Sequence, residues 1–256
     1  MGLSPEQKRF YDDNGYVVIR GVLSREEAEE YRRELHGLAE RLQKIQEIDA
    51  TWSSVRQGGA KKTVILHCHD VQFQSAAMAR LIVDPRITSL AASVIGPNVQ
   101  LHHTKMFIKP PEKGSPFPLH QDYPYFPHQK NSMMAAVIYF DDCPEEKGCF
   151  RVVPGSHKLG PLPIQQDDLS LSPEEWPIER ATPLPGKAGD VILFSYLIIH
   201  GSGLNVSNEA RTTLLIQMRD PTDPPTVKAH ESRGQGMMLA GIDPSCCTTR
   251  VVEIEA

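Results

Sequence analysis

The sequence lacks the features of membrane proteins, nucleic-acid-binding proteins and disulfide-rich proteins. Aromatic residues make up only 7% of the 256 residues, and the formal net charge is -5. Because there is no basic surplus to neutralise a phosphate backbone, nucleic acid is not expected as a partner. No apolar run reaches the length that a membrane-spanning helix needs. We therefore expect a globular, cytoplasmic protein. Nothing in the sequence indicates an oligomeric state.

The cysteines are few, and their spacing excludes a structural framework. They are odd in number and do not form the paired spacing of a disulfide scaffold or a zinc site. Reduced thiols in an intracellular protein are the expectation. The five residues are Cys68, Cys143, Cys149, Cys246 and Cys247.

Helices dominate the front of the chain. Ser4, followed by Pro5 and Gln7, forms a capping-box pattern that predicts a helix ending near Asn14-Gly15. A second box at Ser24 predicts an amphipathic helix to about residue 43, packed on a sheet. Residues 75–95 are predicted as two helices that meet at a proline. Segments 16–20 and 64–66 are predicted strands, and 46–62 a loop.

From Val99 onward, short β-type runs alternate with turns rich in proline and glycine. Such punctuation indicates a sandwich or a rolled-up barrel. Stretch 160–185 is predicted as an insertion between strands, and 221–249, with Lys228, His230 and Arg233, as a lid. We predict a mainly β protein with flanking helices and one domain over 1–256. Its parts are a helical wrap (about 1–98), a β core (about 99–220) and a tail (221–256). The predicted core strands are 100–109, 134–140, 150–153, 191–194 and 212–218.

The segment His120-Gln121-Asp122 is a candidate metal-binding motif. Residues two apart on an extended chain point to the same side, so His120 and Asp122 can reach one metal. A third candidate ligand, His200, follows an apolar run far downstream. Two imidazoles and one carboxylate on one face of an octahedron leave three positions open, which suits Fe(II) and oxygen chemistry. We predict that these three residues bind the metal and form the catalytic centre.

Arg211 stands eleven residues after His200, at the start of a β-type run. A guanidinium binds a carboxylate through two parallel hydrogen bonds and stays charged at any relevant pH. An arginine beside an iron indicates an anionic co-substrate such as 2-oxoglutarate. Taken alone, Arg211 would be assigned to a surface salt bridge, but together with the three ligands the functional interpretation is favoured.

Several motifs in this order resemble the phytanoyl-CoA dioxygenase family. The resemblance covers about Leu101 to Met218 and, weakly, Asn14–Val18. It implies a double-stranded β-helix (jelly-roll) core wrapped by N-terminal helices. It also implies Fe(II)- and 2-oxoglutarate-dependent oxygenation with release of succinate and CO2. The motifs are His120-Gln121-Asp122, Tyr125-Phe126-Pro127, Gly148-Cys149, Pro154-Gly155-Ser156-His157-Lys158 and His200-Gly201-Ser202-Gly203, preceded by the similar segment Thr104–Pro111.

The resemblance also implies roles for single residues. Arg211 takes the position that binds the distal carboxylate of 2-oxoglutarate. Ser202 takes a position that helps to bind the same carboxylate. Lys105 lies where family members place contacts to 2-oxoglutarate or substrate, and a buried lysine needs an anionic partner, which the co-substrate would supply. Halogenases of this kind replace the ligand carboxylate with a small residue. With Asp122 present, hydroxylation or desaturation is therefore expected.

Two pocket positions depart from well-known relatives. Val137 stands where they carry tryptophan, and Lys105 or Met106 stands where they carry methionine. Both positions line the pocket in relatives, so phytanoyl-CoA itself is not assumed as the substrate. A fatty acyl-CoA, an amino acid, a phosphonate or a secondary metabolite each remains open.

The other histidines are expected to be structural or to line the pocket. His67-Cys68-His69-Asp70 contains metal-binding residue types but has no matching downstream partner. His102 and His103 are adjacent on a predicted strand, so at most one of them faces inward. His157 is expected to form structural hydrogen bonds.

Two alternative functions stay open at this point. A cupin-like metalloenzyme without 2-oxoglutarate would keep the metal and change the reaction, although Arg211 argues against it. A non-catalytic binding member of the fold would be favoured by the loss of a ligand, and all three ligands are present.

Overall fold

The computed structural model describes residues 2–45, 66–112, 116–164, 166, 168–228 and 231–245. The predicted loop 46–62, the first two residues of the predicted strand 64–66, and His230, Cys246 and Cys247 lie outside the described residues. The helices are α1 (Pro5–Asn14), α2 (Arg25–Ile45), α3 (Ala76–Ile82) and α4 (Pro85–Ile95). The strands are β1 (Tyr16–Ile19), β2 (Leu66–His69), β3 (Val99–Lys109), β4 (Phe117–His120), β5 (Met134–Tyr139), β6 (Phe150–Val152), β7 (Thr182–Leu184), β8 (Val191–Ser195), β9 (His200–Ser202), β10 (Arg211–Arg219) and β11 (Met238–Ala240).

The helix boundaries follow from the predicted caps. The Ser4 side chain accepts a hydrogen bond from the backbone N–H of Gln7, and the Gln7 side chain accepts one from the backbone of Ser4. Gly15 ends α1 in the left-handed region at φ 80°. Pro85 occupies the first turn of α4. It therefore begins the second helix of the predicted pair instead of kinking one long helix.

Two antiparallel sheets form the core. The larger sheet has the order β1-β8-β5-β10-β3-β11, with β2 also paired to β3. The smaller sheet has the order β4-β9-β6-β7. Two facing antiparallel sheets in this arrangement form the jelly roll. The predicted fold class is thus confirmed.

The central strands of the larger sheet are buried on both faces, and alternate residues serve different purposes. On β5, Ala136 and Ile138 pack with apolar residues of the helices. Val137 and Tyr139 pack on the opposite side, with residues of the smaller sheet. Side chains of a strand alternate between its faces. Every second residue of β3 and β10, among them Lys105 and Arg211, therefore points to the space between the sheets.

A β-bulge corrects the prediction for His102 and His103. In the register of β3 and β10, Gln217 pairs with His103 and Met218 pairs with Leu101, so His102 is the extra residue. Both histidines are buried, and both rings contact Phe126. The prediction that at most one faces inward was wrong, because the bulge breaks the strand's alternation.

Two segments predicted as loops contribute strands. The last residues of 160–185 form β7, which pairs with β6 at the edge of the smaller sheet. The segment 221–249 contains β11, which pairs with β3 in the larger sheet. Both strands have only three residues, too few for a period-two pattern to stand out in the sequence. Among the helices that the structure describes, none combines the length and the apolar character that crossing a bilayer requires.

Replacing Leu35 by alanine is expected to lower the free energy of unfolding by about 2–5 kcal/mol. Leu35 is completely buried on α2, in the cluster shared by the helices and the larger sheet. Glu30→Ala on the exposed side of the same helix is the control, with a change of about 0.5 kcal/mol or less. Denaturant unfolding measures both, and equal effects would contradict the packing of α2 on the sheet.

Candidate active site

The structure brings the three predicted metal ligands together in one place. His120 is the last residue of β4, and His200 is the first residue of β9. The two strands pair antiparallel with His120 opposite His200. Asp122 follows two residues after His120, and its Oδ1 lies 3.8 Å from Nε2 of His120 and 3.6 Å from Nε2 of His200. One ligand atom from each residue lies within 4.8 Å of the others.

Backbone carbonyls set the orientation of both imidazole rings. Nδ1 of His120 lies 2.8 Å from the carbonyl oxygen of Pro118, and Nδ1 of His200 lies 3.0 Å from that of Ile198. A carbonyl only accepts, so each Nδ1 carries the proton and each Nε2 keeps its lone pair. This is the tautomer that binds a metal through Nε2.

Burial keeps the two histidines in the neutral form, whereas the neighbouring charges favour the ionised form of Asp122. Burial is the main cause that lowers the pKa of His120 to about 4, with a contribution from His200. It also lowers the pKa of His200 to about 4. Both imidazoles are therefore neutral at physiological pH, as metal ligation requires. Burial raises the pKa of Asp122, and the charges of His120 and Lys105 act against that rise.

Gln121 fixes the short segment between the two neighbouring ligands. Its side-chain nitrogen donates to the carbonyl oxygens of Leu197 and Gly160, at 2.6 and 3.0 Å. Its side-chain oxygen accepts from the backbone N–H of Leu162. Gln121 is therefore held on the side away from the pocket. His120 and Asp122 both face the pocket, as the spacing predicts.

Arg211 and Lys109 form a buried cationic end of the pocket. They are opposite each other on β10 and β3. Arg211 donates from Nη1 to the carbonyl oxygen of Gly148 at 2.6 Å, whereas its Nε is buried without a partner among the described residues. Burial lowers the pKa of Lys109, and the charge of Arg211 lowers it further. Two adjacent buried cations indicate that an anion belongs there.

Ser202 lies at the same end, next to Lys109, which the sequence alone did not single out. The Lys109 ammonium donates to Ser202 Oγ at 2.6 Å and to the carbonyl oxygen of Gly203 at 2.7 Å. Lys109 is four residues from Lys105 on β3, so strand alternation alone places both side chains on the same face, toward the pocket. Without the register, however, nothing paired it with Arg211.

Gly148 brings the backbone close to this cationic end. Its φ is 72°, and a Cβ there would lie 2.6 Å from the carbonyl oxygen of Gly203. Only glycine fits both the conformation and the space. The close approach holds the Gly148 carbonyl oxygen against Arg211.

A pocket of about 760 Å³, counted out to its mouth, connects these groups. Val137 and Lys105, the two positions that depart from well-known relatives, both line it. Gln217 also lines the pocket. It was not singled out from the sequence, although it lies six residues from Arg211 on β10 and therefore on the same face of the strand.

The remaining predicted residues take other places. His67 and His69 lie on β2, paired with β3, and His69 stacks on His103. In the described part of the chain, only the three ligands named above form a group that could hold a metal ion. His157 Nε2 lies 3.1 Å from the backbone oxygen of Asp12, a structural contact as predicted.

The three ligands fit a divalent iron. Asp122 Oδ2 is buried and has no hydrogen-bond partner among the described residues, and both Nε2 atoms converge on the same carboxylate. Two imidazoles and one carboxylate are the donor set of non-heme Fe(II) oxygenases. Together, the jelly roll, this donor set and the buried Arg211 define the class of Fe(II)- and 2-oxoglutarate-dependent oxygenases.

Comparison with known proteins identifies the family. The family model described as "Phytanoyl-CoA dioxygenase (PhyH)" matches residues 11–213. The chain belongs to the phytanoyl-CoA dioxygenase (PhyH) family, which confirms the resemblance read from its motifs.

Two curated proteins and one solved structure show what the chain is similar to. The peroxisomal phytanoyl-CoA dioxygenase of Bos taurus is 29% identical over 237 residues, covering 85% of this chain and 69% of that protein. The probable alpha-ketoglutarate-dependent hypophosphite dioxygenase of Stutzerimonas stutzeri is 27% identical over 225 residues, covering 82% of this chain and 77% of that protein. The crystal structure of the epimerase SnoN in complex with Fe3+, alpha ketoglutarate and nogalamycin RO has a TM-score of 0.69 and 26% identity, covering 93% of this chain and 96% of that one.

Proposed function

We propose that this chain hydroxylates or desaturates a small organic substrate, with Fe(II) held by His120, Asp122 and His200. In the same proposal, Arg211 binds the distal carboxylate of 2-oxoglutarate, with Ser202 and Lys109 beside it. The observation that carries the proposal is the convergence of the three ligand atoms within 4.8 Å in the pocket that Arg211 also lines.

Iron bound at this site would supply the activation of O2 and the oxidation of a substrate C–H bond. The chain's own residues do the rest. Arg211 holds the co-substrate in a fixed orientation through charge-assisted hydrogen bonds. Phe107, Phe117 and Phe150 line the pocket and keep water away from the bound co-substrate. The Asp122 carboxylate fills the position that a halide would need, which favours oxygenation over halogenation.

The proposal is tested by measuring succinate formation from 2-oxoglutarate with Fe(II), ascorbate and a panel of small metabolites. We expect succinate to form in a metal-dependent way and to rise when the panel contains the substrate. Metal binding without any succinate would instead favour a cupin-like metalloenzyme. Absence of both would favour a non-catalytic binding protein.

Three further features of the chain belong to the same proposal. Strands from the front (β1), the middle and the end (β11) share the larger sheet, which supports a single domain over 1–256. A cytoplasmic location and the absence of a nucleic-acid partner stay predictions. The primary substrate is a small molecule.

A further inference from the structure

The pocket continues past the metal ligands to an end that the proposed function leaves without a ligand. We call it the outer polar end and define it by His103, Lys105 and Gln217, all of which line the pocket. The register of the sheet orders the residues along the pocket. Starting from the buried cationic end, the facing pairs are Lys109 with Arg211, Phe107 with Thr213, Lys105 with Leu215, and His103 with Gln217.

Gln217 carries the first indication that a ligand binds at the outer polar end. It is fully buried, yet neither the nitrogen nor the oxygen of its amide has a hydrogen-bond partner among the described residues. A buried amide without partners is unfavourable, and native proteins rarely keep one. Because Gln217 lines the pocket, a molecule in the pocket can supply the missing acceptor and donor.

Lys105 carries the second indication. In the described part of the chain, its ammonium has no hydrogen bond or ion pair within bonding distance. The charges of Asp122 and Asp70 act on it from further away, against the effect of its burial. Under the proposed function, the Asp122 carboxylate is bound to the metal. The ammonium has three donors and no acceptor, so an anion is its complementary partner.

2-Oxoglutarate is shorter than the backbone distance between the two ends of the pocket. Its two carboxylates are four C–C bonds apart, about 5 Å when extended. Lys105 and Lys109 are four residues apart on a strand, about 13 Å of backbone. A 2-oxoglutarate whose distal carboxylate is held by Arg211 spans less than half of that backbone distance, and in the proposal the outer polar end is left for another molecule.

We propose that the outer polar end binds an anionic head group of the substrate, so that the oxidised molecule is a small organic acid. Lys105 supplies the charge and Gln217 an N–H donor, while His103 closes that end. Tyr125 and Phe126 also line the pocket and offer an apolar surface to the carbon part of the molecule. The inference rests on the proposed function and assigns Lys105 to the substrate instead of the co-substrate.

The test uses the full chain, loaded without oxygen with Fe(II) and 2-oxoglutarate and titrated by calorimetry. Four probes carry the same pentyl chain and differ only in the head group: hexanoate, pentylphosphonate, hexanamide and pentylamine. We expect at least one of the two anions to bind about tenfold to a hundredfold more tightly than the amide and the amine, as a charge-assisted hydrogen bond implies. The tighter of the two anions distinguishes a carboxylate from a phosphonate as the head group.

Two variants and a control assign this preference to the outer polar end. Lys105→Met keeps the side-chain length and removes the charge, so the preference for anions should fall at least about tenfold. Gln217→Leu keeps the volume and removes the amide, and should weaken anion binding severalfold. In both variants, the affinity for 2-oxoglutarate should stay within about twofold of the parent. The exposed Lys158→Met serves as the control and should change nothing.

Two results would overturn the inference. One is equal binding of anions and amide by the parent protein. The other is a Lys105→Met variant that binds 2-oxoglutarate more weakly and keeps its anion preference, which would return Lys105 to the co-substrate. Failure of the proposed function appears earlier and separately, at the loading step, as absence of Fe(II) and 2-oxoglutarate binding.

Discussion

The His200→Ala variant is expected to lose iron binding and turnover. His200 supplies one of three converging ligand atoms, and its ring is already held by the backbone of Ile198. Loss of outer hydrogen bonds around a metal ligand costs roughly 10–100-fold in affinity, so loss of the ligand itself should cost at least that much. Iron content after reconstitution and the rate of succinate formation measure the effect.

His157→Gln is the matched control for that variant. His157 contacts the backbone of Asp12, away from the pocket. The His157→Gln variant should therefore leave the iron content unchanged. Thermal unfolding of the metal-free proteins checks that His200→Ala still folds. Turnover that survived in a folded His200→Ala protein would show that the metal site has been assigned to the wrong residues.

The Arg211→Met variant is expected to raise the KM for 2-oxoglutarate by about a hundredfold or more. Two charge-assisted hydrogen bonds at about 1.5 kcal/mol each account for that factor. The loss of a buried cation next to Lys109 should not unfold the protein, because like charges repel there. Iron binding should be unaffected, since the three ligands stay in place.

Arg211→Lys separates charge from geometry. Lysine keeps the positive charge but cannot form the two parallel bonds of a guanidinium, so its KM should fall between those of the parent and the methionine variant. Steady-state kinetics with varied 2-oxoglutarate give all three values. If Arg211→Met kept the parent KM within twofold, the cationic end would not be the co-substrate site.

The sequence predicted the local structure where a few neighbouring residues determine it. The caps at Ser4 and Gly15, the helix that begins at Pro85, and the long β runs of β3, β5 and β10 lie close to their predicted places. The three-residue strands β7, β9 and β11 were missed, because pairing with neighbouring strands defines them rather than their own composition. The bulge at His102 was missed for the same reason.

The metal ligands and Arg211 could be named from the sequence because their chemistry is carried by residue type and spacing. The sequence alone shows an H-x-D segment, a distant histidine and an arginine after that histidine. Lys109 and Gln217 were not singled out, because a lysine or glutamine on a strand is ordinarily a surface residue. Only the register, which pairs Lys109 with Arg211 and Gln217 with His103, places Lys109 beside the pocket and Gln217 in its wall.

The sequence by itself therefore determined the reaction class of this protein: the donor types for Fe(II), the arginine for a dicarboxylate and the family of jelly-roll oxygenases. The tertiary structure decided which polar side chains share one buried space. Pairing of β3 with β10 sets Lys109 and Arg211 at the buried cationic end, and at the outer polar end it sets Lys105 with an amide that has no hydrogen-bond partner among the described residues. The physical reason is that a donor type is a local property of the chain. Burial and the absence of a partner, in contrast, arise only when distant strands enclose the side chain.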